Sequence, residues 1–175
     1  MAGLFLSAIR GLLDGVRSLP HTRSCFVCGE ANPHGLRLRF QTDGRVVRGE
    51  FRPCPEHSGF RDVVHGGIIA TVLDEIMVWA CAVQTRQFGY CAEMTVRYQR
   101  PVHPGRLAIA TAELVSNRRN RIFEAKAELC DVAGVTMATA SGKYLPIGPA
   151  EREQLLTEFI GEIEPFRGSP QEPPT

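Results

Sequence analysis

The sequence predicts an α+β domain in which a curved antiparallel sheet wraps around one long central helix. Three observations lead to this prediction: an apolar helical pattern from His65 to Ala82, a strand hairpin before it, and four strand-like segments after it. An antiparallel sheet needs one face covered, and the long helix is the element large enough to cover it. The 175 residues are enough for one domain with a full core and terminal extensions.

Composition is typical of an ordinary globular protein. Hydrophobic residues make up 43% of the chain and charged residues 22%, and the formal net charge of +1 gives no electrostatic case for nucleic acid as a partner. The longest apolar runs are too short for a membrane span, so none is expected. Six cysteines without an export signal indicate a reducing compartment, and we therefore expect a cytoplasmic protein with free thiols.

The chain divides into a central domain and three terminal segments. Residues 1–20 carry apolar side chains at helical spacing and are predicted to form an amphipathic helix that packs on the domain or on a partner subunit, with a membrane-surface or targeting role as the alternative. The central domain spans residues 21–147. Residues 148–164 are predicted to form a C-terminal helix, and the proline-rich residues 165–175 a disordered tail.

The domain begins with the turn-rich segment 21–35, which is followed by the predicted hairpin. Residues 36–41 alternate between apolar and polar, as in a half-buried strand, and Asp43-Gly44 is a strong hairpin-turn signal. Residues 45–51 form the returning strand, and 52–64 a loop with two prolines.

Four further strands are predicted after the helix, as an antiparallel meander. Turn residues separate them, including Pro104-Gly105 and Ala133-Gly134. The predicted strands cover residues 91–100, 107–115, 122–131 and 135–145.

The central helix is apolar on nearly all sides. Ile69, Leu73 and Ile76 lie on one face, and small residues such as Ala70 and Cys81 lie on the opposite one. A helix with this pattern is buried on both sides. The sheet covers one side, and a second copy of the chain would cover the other. We therefore expect a homodimer with facing helices, or a homotetramer built as a dimer of such dimers.

Two adjacent carboxylates interrupt this apolar helix. Asp74 lies near the middle of the small-residue face, where a buried, unpaired carboxylate would be costly unless it is used. We therefore take Asp74 as the catalytic candidate. Glu75 lies beside the sheet-facing stripe, where a salt bridge or a place at the rim is the expected role.

Three stretches of this sequence resemble the hotdog-fold thioesterases of the phenylacetate-pathway, or PaaI-type, group. They are CFVCGEANPHGLRLRF, HGGIIATVLDE and AEMTVRYQRPVHPG, and the resemblance covers residues 24–146. It implies the hotdog fold and hydrolysis of an acyl-CoA thioester between two subunits, with no cofactor required. It also implies that the Gly66 N–H polarises the thioester carbonyl, while Asp74 of the facing subunit activates water or attacks directly.

Helix geometry supports the same pairing independently. The first N–H groups of a helix are unpaired and carry partial positive charge, and glycine allows a substrate oxygen to approach them. Asp74 follows Gly66 by eight residues, which is about 12 Å at 1.5 Å per residue. It could therefore reach such a site only across a two-fold axis.

Further candidates surround the start of the helix. His65 is a catalytic candidate, with helix capping as the favoured alternative, and Gly67 is a candidate substrate contact. Members of the resembling group often carry Asn or Gln in the loop before this motif. Ser58 is the local candidate for that polar contact, and Glu75 is the other.

A cluster of arginines lies on the turn between two later strands. Arg118, Arg119 and Arg121 are candidates for contact with the phosphates of coenzyme A, because guanidinium groups bind phosphate in a bidentate manner. The alternative is a solvated, charged turn.

Two pairs of residues have metal-ligand spacing. Cys25 and Cys28 form one pair, Cys54 and His57 the other, and the predicted hairpin would bring the pairs together. A structural zinc ion on all four is therefore an alternative. We favour free thiols in a tight turn, since motif matches of this kind have a real false-positive rate.

The sequence thus predicts an acyl-CoA thioesterase. A hotdog dehydratase is the alternative among enzymes, although such sites pair a His with an acid on the catalytic helix, and this helix has no internal His. A non-catalytic module that binds acyl-CoA or another hydrophobic ligand is the alternative outside enzymes.

Overall fold

The computed structural model of this chain describes residues 15–168. Most of the helix predicted over residues 1–20 lies outside that range. The part that is described, from Gly15 to Pro20, contains a short strand at Arg17–Ser18 and no helix. The prediction that a helix continues to Pro20 is therefore wrong, because this segment pairs with Gln41 and Thr42 at the edge of the sheet.

The described chain contains eleven strands and three α-helices. The strands are β1 (Arg17–Ser18), β2 (His21–Thr22), β3 (Phe40–Thr42), β4 (Val46–Phe51), β5 (Ser58–Phe60), β6 (Val63–Val64), β7 (Gly89–Tyr98), β8 (Ala108–Arg118), β9 (Ile122–Asp131), β10 (Thr136–Pro146) and β11 (Phe159–Ile160). The helices are α1 (Gly66–Thr85), α2 (Pro149–Thr157) and α3 (Glu164–Arg167).

Seven of these strands form one antiparallel sheet, in the order β1-β3-β4-β8-β9-β10-β7. Helix α1 packs against β4, β7, β8, β9 and β10, so that the sheet covers one side of the helix. The predicted α+β architecture and its long central helix are confirmed. This arrangement is the hotdog fold.

The predicted four-strand meander is wrong in its order. β7 pairs with β10 at the far edge of the sheet, while β8 pairs with β4. The 20-residue helix carries the chain across the sheet between β6 and β7. The chain therefore enters β7 at the opposite edge and returns to the middle in β8.

The first strand of the predicted hairpin is also shorter than expected. Regular pairing begins only at Phe40, although alternation starts at Leu36. Arg37 has a φ of 55°, a left-handed conformation that no regular strand contains. The segment before β3 instead forms single hydrogen bonds, from the Leu36 N–H to Phe26 and from the Leu38 N–H to Val27.

Helix α1 is long and apolar enough to cross a membrane, although the short uninterrupted apolar runs of the sequence predict no membrane span. Packing against the sheet accounts for that apolar character. Ile69, Leu73, Ile76 and Trp79 are all buried. A row that includes Asp74 and Val78 stays partly exposed within one protomer.

The C-terminal segment packs onto the opposite end of α1. The helix predicted over residues 148–164 ends at Thr157, and β11 then pairs with β2. The prediction of disorder from residue 165 onward is wrong for residues 165–168, because Phe166 of α3 is buried in the core. Its ring centroid lies 5.8 Å from that of Trp79 and 5.5 Å from that of Phe88. Residues 169–175 lie outside the described part.

This packing predicts that the C-terminal segment stabilises the core. Phe166 is 2% exposed, so Phe166→Ala should lower the free energy of unfolding by about 3–5 kcal/mol, measured by urea denaturation at fixed protein concentration. The matched control is Phe60→Ala, because Phe60 is 83% exposed and its loss should cost less than about 0.5 kcal/mol. Equal losses in the two variants would show that Phe166 does not belong to the core.

Candidate functional site at the start of the central helix

The first turn of α1 leaves one backbone donor open. His65 caps the helix: its Nδ1 accepts the Gly67 N–H at 2.9 Å, and its carbonyl accepts the N–H groups of Ile68 and Ile69 at 3.0 and 3.3 Å. The Gly66 N–H forms no hydrogen bond within residues 15–168. It is thus free to bind an acceptor, at the end of the helix where the macrodipole favours negative charge.

A groove of about 400 Å³ opens beside this donor. Tyr98 lies at its wall, and its hydroxyl donates to the Gly66 carbonyl at 2.8 Å, which fixes the first residue of the helix. The groove is mostly apolar. Its lining residues are Gly59, Phe60, Val63, Val64, His65, Gly66, Ile69, Tyr98, Gln99, Arg100, Pro101 and Val102.

Asp74 lies two turns further along α1 and is held by a buried phenol. The Tyr144 hydroxyl, from β10, donates to Asp74 Oδ1 at 2.9 Å. Burial, followed by the charge of Asp74, raises the pKa of Tyr144 far above its usual value, so the phenol stays protonated and remains a donor. Asp74 itself is only partly buried, so its carboxylate is oriented by the protein while remaining accessible.

Sequence reasoning did not find Tyr144. Its ring is fully buried, and it approaches Gly142 so closely that a Cβ there would lie 2.8 Å from Tyr144 Cε2. A buried tyrosine usually needs a partner for its hydroxyl, which is the one signal the sequence offered. The identity of that partner depends on the pairing of β10 in the sheet, which is not local in sequence.

Cys91 lies close enough to Asp74 to sense its charge. Burial, followed by the charge of Asp74, raises the pKa of the Cys91 thiol to about 11. A thiol with this pKa is protonated at neutral pH and is a weak nucleophile. The raised pKa of Cys91, together with the orientation of Asp74 by Tyr144, favours Asp74 over Cys91 as the reactive group.

The two principal candidates do not meet within one protomer. Gly66 lines the groove, whereas Asp74 lies eight residues further along the helix, about 12 Å at 1.5 Å per residue, and is not part of the groove wall. Any site that uses both groups must involve a second chain.

The other candidates around the groove differ in what they could contribute. The Gly67 N–H is occupied by His65, so it is not free to bind a ligand. Ser58 is exposed in β5, opposite Val64 of β6, and is not one of the residues that line the groove.

The three arginines lie at the β8–β9 turn, and all are exposed. The Arg118 guanidinium is paired with Glu124 at 2.7 Å. Arg119 and Arg121 enter no ion pair within residues 15–168, so their charges are the ones available to a phosphate. Arg119 has a φ of 53°, which places it at the apex of the turn.

Glu75 does not occupy the position expected from the sequence. It is neither at the rim nor in any ion pair of the described chain: Trp79 Nε1 donates to its Oε1 at 3.2 Å, and the Cys25 thiol lies 3.6 Å from its Oε2. Burial raises the pKa of Glu75 to about 8. The salt-bridge or rim role is therefore wrong, because Glu75 points about 100° away from Asp74 around the helix, toward the core.

The four proposed metal ligands are not brought together. His57 Nδ1 accepts the Cys54 N–H at 3.2 Å, and its ring stacks on Phe51, so this pair is satisfied locally. Within residues 15–168, the cluster with metal-ligand geometry is a different one, formed by Cys25, Cys28 and Glu75.

Comparison with known proteins agrees with this fold and this placement of the helix. The model of the Thioesterase superfamily matches residues 62–138, which include the whole of α1, the Gly66 donor and Asp74. No curated protein sequence matches the chain. The match over residues 62–138 agrees with the resemblance to hotdog-fold thioesterases of the PaaI type that the motifs indicate.

Several solved structures share the fold. A thioesterase superfamily protein is 23% identical, with a TM-score of 0.66, over 82% of this chain and 76% of its own. The Escherichia coli PaaI protein from the phenylacetic acid degradation operon is 20% identical, with a TM-score of 0.59, over 65% of this chain and 81% of its own. A Streptococcus mutans protein bound to acetyl-CoA is 14% identical, with a TM-score of 0.55, over 59% and 82%.

The contact between Tyr144 and Asp74 predicts a measurable coupling. In a double-mutant cycle of Tyr144→Phe and Asp74→Ala, the free energies of unfolding should be non-additive by about 1 kcal/mol or more, since the hydroxyl donates to a charged group. Tyr98→Phe with Asp74→Ala is the matched control. It also removes a bonded phenol hydroxyl, but two helical turns away, and should couple by less than about 0.5 kcal/mol. Additivity in both cycles would rule out the orienting role of Tyr144.

Proposed function

From a hotdog fold whose residues 62–138 match the Thioesterase superfamily, we propose that this chain is an acyl-CoA thioesterase acting at an interface between two subunits. The observation that supports the proposal most strongly is that α1 carries two polar groups of a possible catalytic site at separate positions along its length. The free Gly66 N–H faces a groove at one end, and the oriented Asp74 carboxylate lies on the exposed row of the same helix.

In the proposed reaction, the thioester carbonyl oxygen binds the Gly66 N–H. Negative charge develops on that oxygen as water adds to the carbonyl carbon, and a preorganised donor at such a position typically contributes about 3–4 kcal/mol. Asp74 of the facing subunit removes a proton from the water, or attacks the carbonyl itself to form an anhydride that water then opens. In the first route the tetrahedral adduct expels the CoA thiolate, which receives the proton that Asp74 took from water. In the second, the carbon–sulfur bond breaks as the anhydride forms, and the thiolate receives a proton from the water that opens the anhydride.

Two features of the protomer support a dimer. The first is the partly exposed row on α1 that includes Asp74. The second is β7, a ten-residue strand whose outer edge has no partner among residues 15–168, and which exposes Tyr90 and Tyr98. A long open edge invites pairing with another chain. Pairing two copies of β7 about a two-fold axis would extend the sheet and bring the two α1 helices side by side.

A non-catalytic acyl-CoA binding module remains the second candidate, since a structural neighbour was solved with acetyl-CoA bound. The oriented carboxylate favours the enzyme, because ligand binding alone does not require it. The dehydratase alternative is disfavoured by the environment of His65, whose Nδ1 is occupied in capping the helix. The proposed hydrolysis needs no cofactor, and we place it in the cytoplasm.

The proposal predicts separate effects for the two groups. Gly66→Pro removes the N–H and keeps the backbone, because proline is tolerated at the first helical position and His65, with φ −61° and ψ 133°, already has the conformation that proline requires. It also adds a Cβ 3.3 Å from Tyr98 Cζ, and Gly66→Ala controls for that contact because it adds the same carbon. Thiol release from a panel of acyl-CoAs should fall by about 10²–10³ in kcat for Gly66→Pro and by about 10²–10⁴ for Asp74→Ala. Gly66→Ala keeps the N–H, so its kcat should fall much less.

Mixing the two inactive variants tests whether the site is shared. If each site uses Gly66 of one chain and Asp74 of the other, half of the dimers in a random mixture regain one of their two sites, and about a quarter of wild-type activity returns. If each site uses Gly66 and Asp74 of the same chain, the mixture should regain no activity. Wild-type binding of acyl-CoA without thiol release would instead support the binding module.

The arginine turn predicts a selective effect on binding. Arg119→Glu combined with Arg121→Glu should raise KM for acyl-CoA, while KM for thioesters of short, uncharged thiols should not change, since only CoA carries phosphates. Arg23→Glu with Arg167→Glu reverses two charges elsewhere and is the matched control. An equal rise in KM for both classes of thioester would argue against phosphate contact at this turn.

A further inference from the structure

A second cluster of reactive groups lies on the other side of α1. The sulfurs of Cys25 and Cys28 and a carboxylate oxygen of Glu75 all lie within 4.8 Å of one another. The two cysteines come from the loop between β2 and β3, and Glu75 comes from the middle of α1. Cys28 is buried, and the other two residues are partly buried.

The backbone of the loop is folded around the Cys25 sulfur. The Val27 N–H donates to Cys25 Sγ at 3.2 Å, and the Cys28 N–H points at the same atom. The Gly29 N–H closes the turn on the Cys25 carbonyl at 2.9 Å. A Cβ on Gly29 would lie 2.2 Å from that oxygen, so this tight C-x-x-C-G turn requires glycine.

We propose that Cys25, Cys28 and Glu75 bind a zinc ion that clips the β2–β3 loop to α1. Backbone N–H groups directed at a sulfur stabilise the thiolate that a metal needs. Cys25 Sγ and Glu75 Oε2 lie 3.6 Å apart. Ligands at about 2.3 Å for sulfur and 2.0 Å for oxygen in a tetrahedron would be separated by about 3.5 Å, so the pair is already at ligand spacing.

The chemistry of the cluster selects this ion. Two sulfurs and one carboxylate are a donor set that suits Zn²⁺, whereas Mg²⁺ and Ca²⁺ prefer oxygen ligands alone. Three acidic groups face one another here, and no basic side chain within residues 15–168 forms an ion pair with Glu75. A divalent cation would supply the missing positive charge.

The fourth ligand position has room. Cys25 and Glu75 both line a cavity of about 170 Å³ whose wall includes Trp79, Phe88 and Phe159. Three protein ligands leave one position for a water or another small donor in that cavity. The loop, the central helix and the aromatic core all meet at this point, so the ion would stabilise the tertiary fold.

Metal analysis of the full-length protein tests this proposal. The protein is purified under reducing conditions, loaded with ZnCl₂ and dialysed. We expect about one equivalent of zinc per chain, less than about a tenth of an equivalent in Cys25→Ser and in Cys28→Ser, and an affinity weakened by more than about 100-fold in Glu75→Gln, since even residues that only support ligands cost 10–100-fold. Co²⁺ loading should give the visible bands of tetrahedral thiolate coordination. Zinc should also raise Tm of the wild type but not of Cys28→Ser.

Two controls separate this cluster from the rest of the chain. Cys54→Ser and Cys130→Ser remove cysteines that lie outside it and should keep the full equivalent of zinc. Circular dichroism establishes that each variant is folded. Zinc retained by both Cys25→Ser and Cys28→Ser, or no zinc bound by the wild type, would overturn the proposal. So would a Cys25–Cys28 disulfide that forms without reductant in a wild type that takes up no metal.

Discussion

Helix α1 has almost no polar side, and burying it determines where the other elements lie. Five strands cover one side, and the loop before β3 and the C-terminal segment close over the end around Trp79. Trp79 is in contact with four aromatic rings, from β3, from the α1–β7 connection, from β11 and from α3. Segments far apart in sequence thus stabilise one another through this helix, by removing apolar surface from water.

The elements that depend on local pattern could be predicted from the sequence. The helix begins at Gly66, as its motif indicates, and β9 spans Ile122–Asp131, as its alternation predicts. The order of the strands could not be predicted in the same way, because pairing is decided by the path that α1 takes across the sheet. Two other predictions failed for local reasons. The left-handed conformation of Arg37 shortens β3, and the burial of Phe166 orders residues 165–168, although that segment is polar and rich in proline.

The candidate site shows the same division. Gly66 and Asp74 were predictable, because a helix start and a carboxylate in an apolar face are visible in the sequence. Tyr144 was not, since its contact with Asp74 joins residues seventy positions apart. Glu75 was misplaced for a related reason: a salt bridge was the default for an acid on a helix, while its actual partners, Cys25 and Trp79, depend on how the β2–β3 loop folds back.

Asp74 and Glu75 are neighbours in sequence, yet each is held by a different part of the fold. Tyr144 of β10 holds Asp74 on the exposed row, and the β2–β3 loop holds Glu75 in the core. Rotation of α1 about its axis would disturb both contacts at once, so each contact also limits the freedom of the other carboxylate. A metal ion bound at Glu75 would add to the contacts that fix the rotation of α1, and the position of Asp74 depends on that rotation. The proposed metal clip and the proposed chemistry thus share one helix, on which their carboxylates lie at adjacent positions and point in different directions.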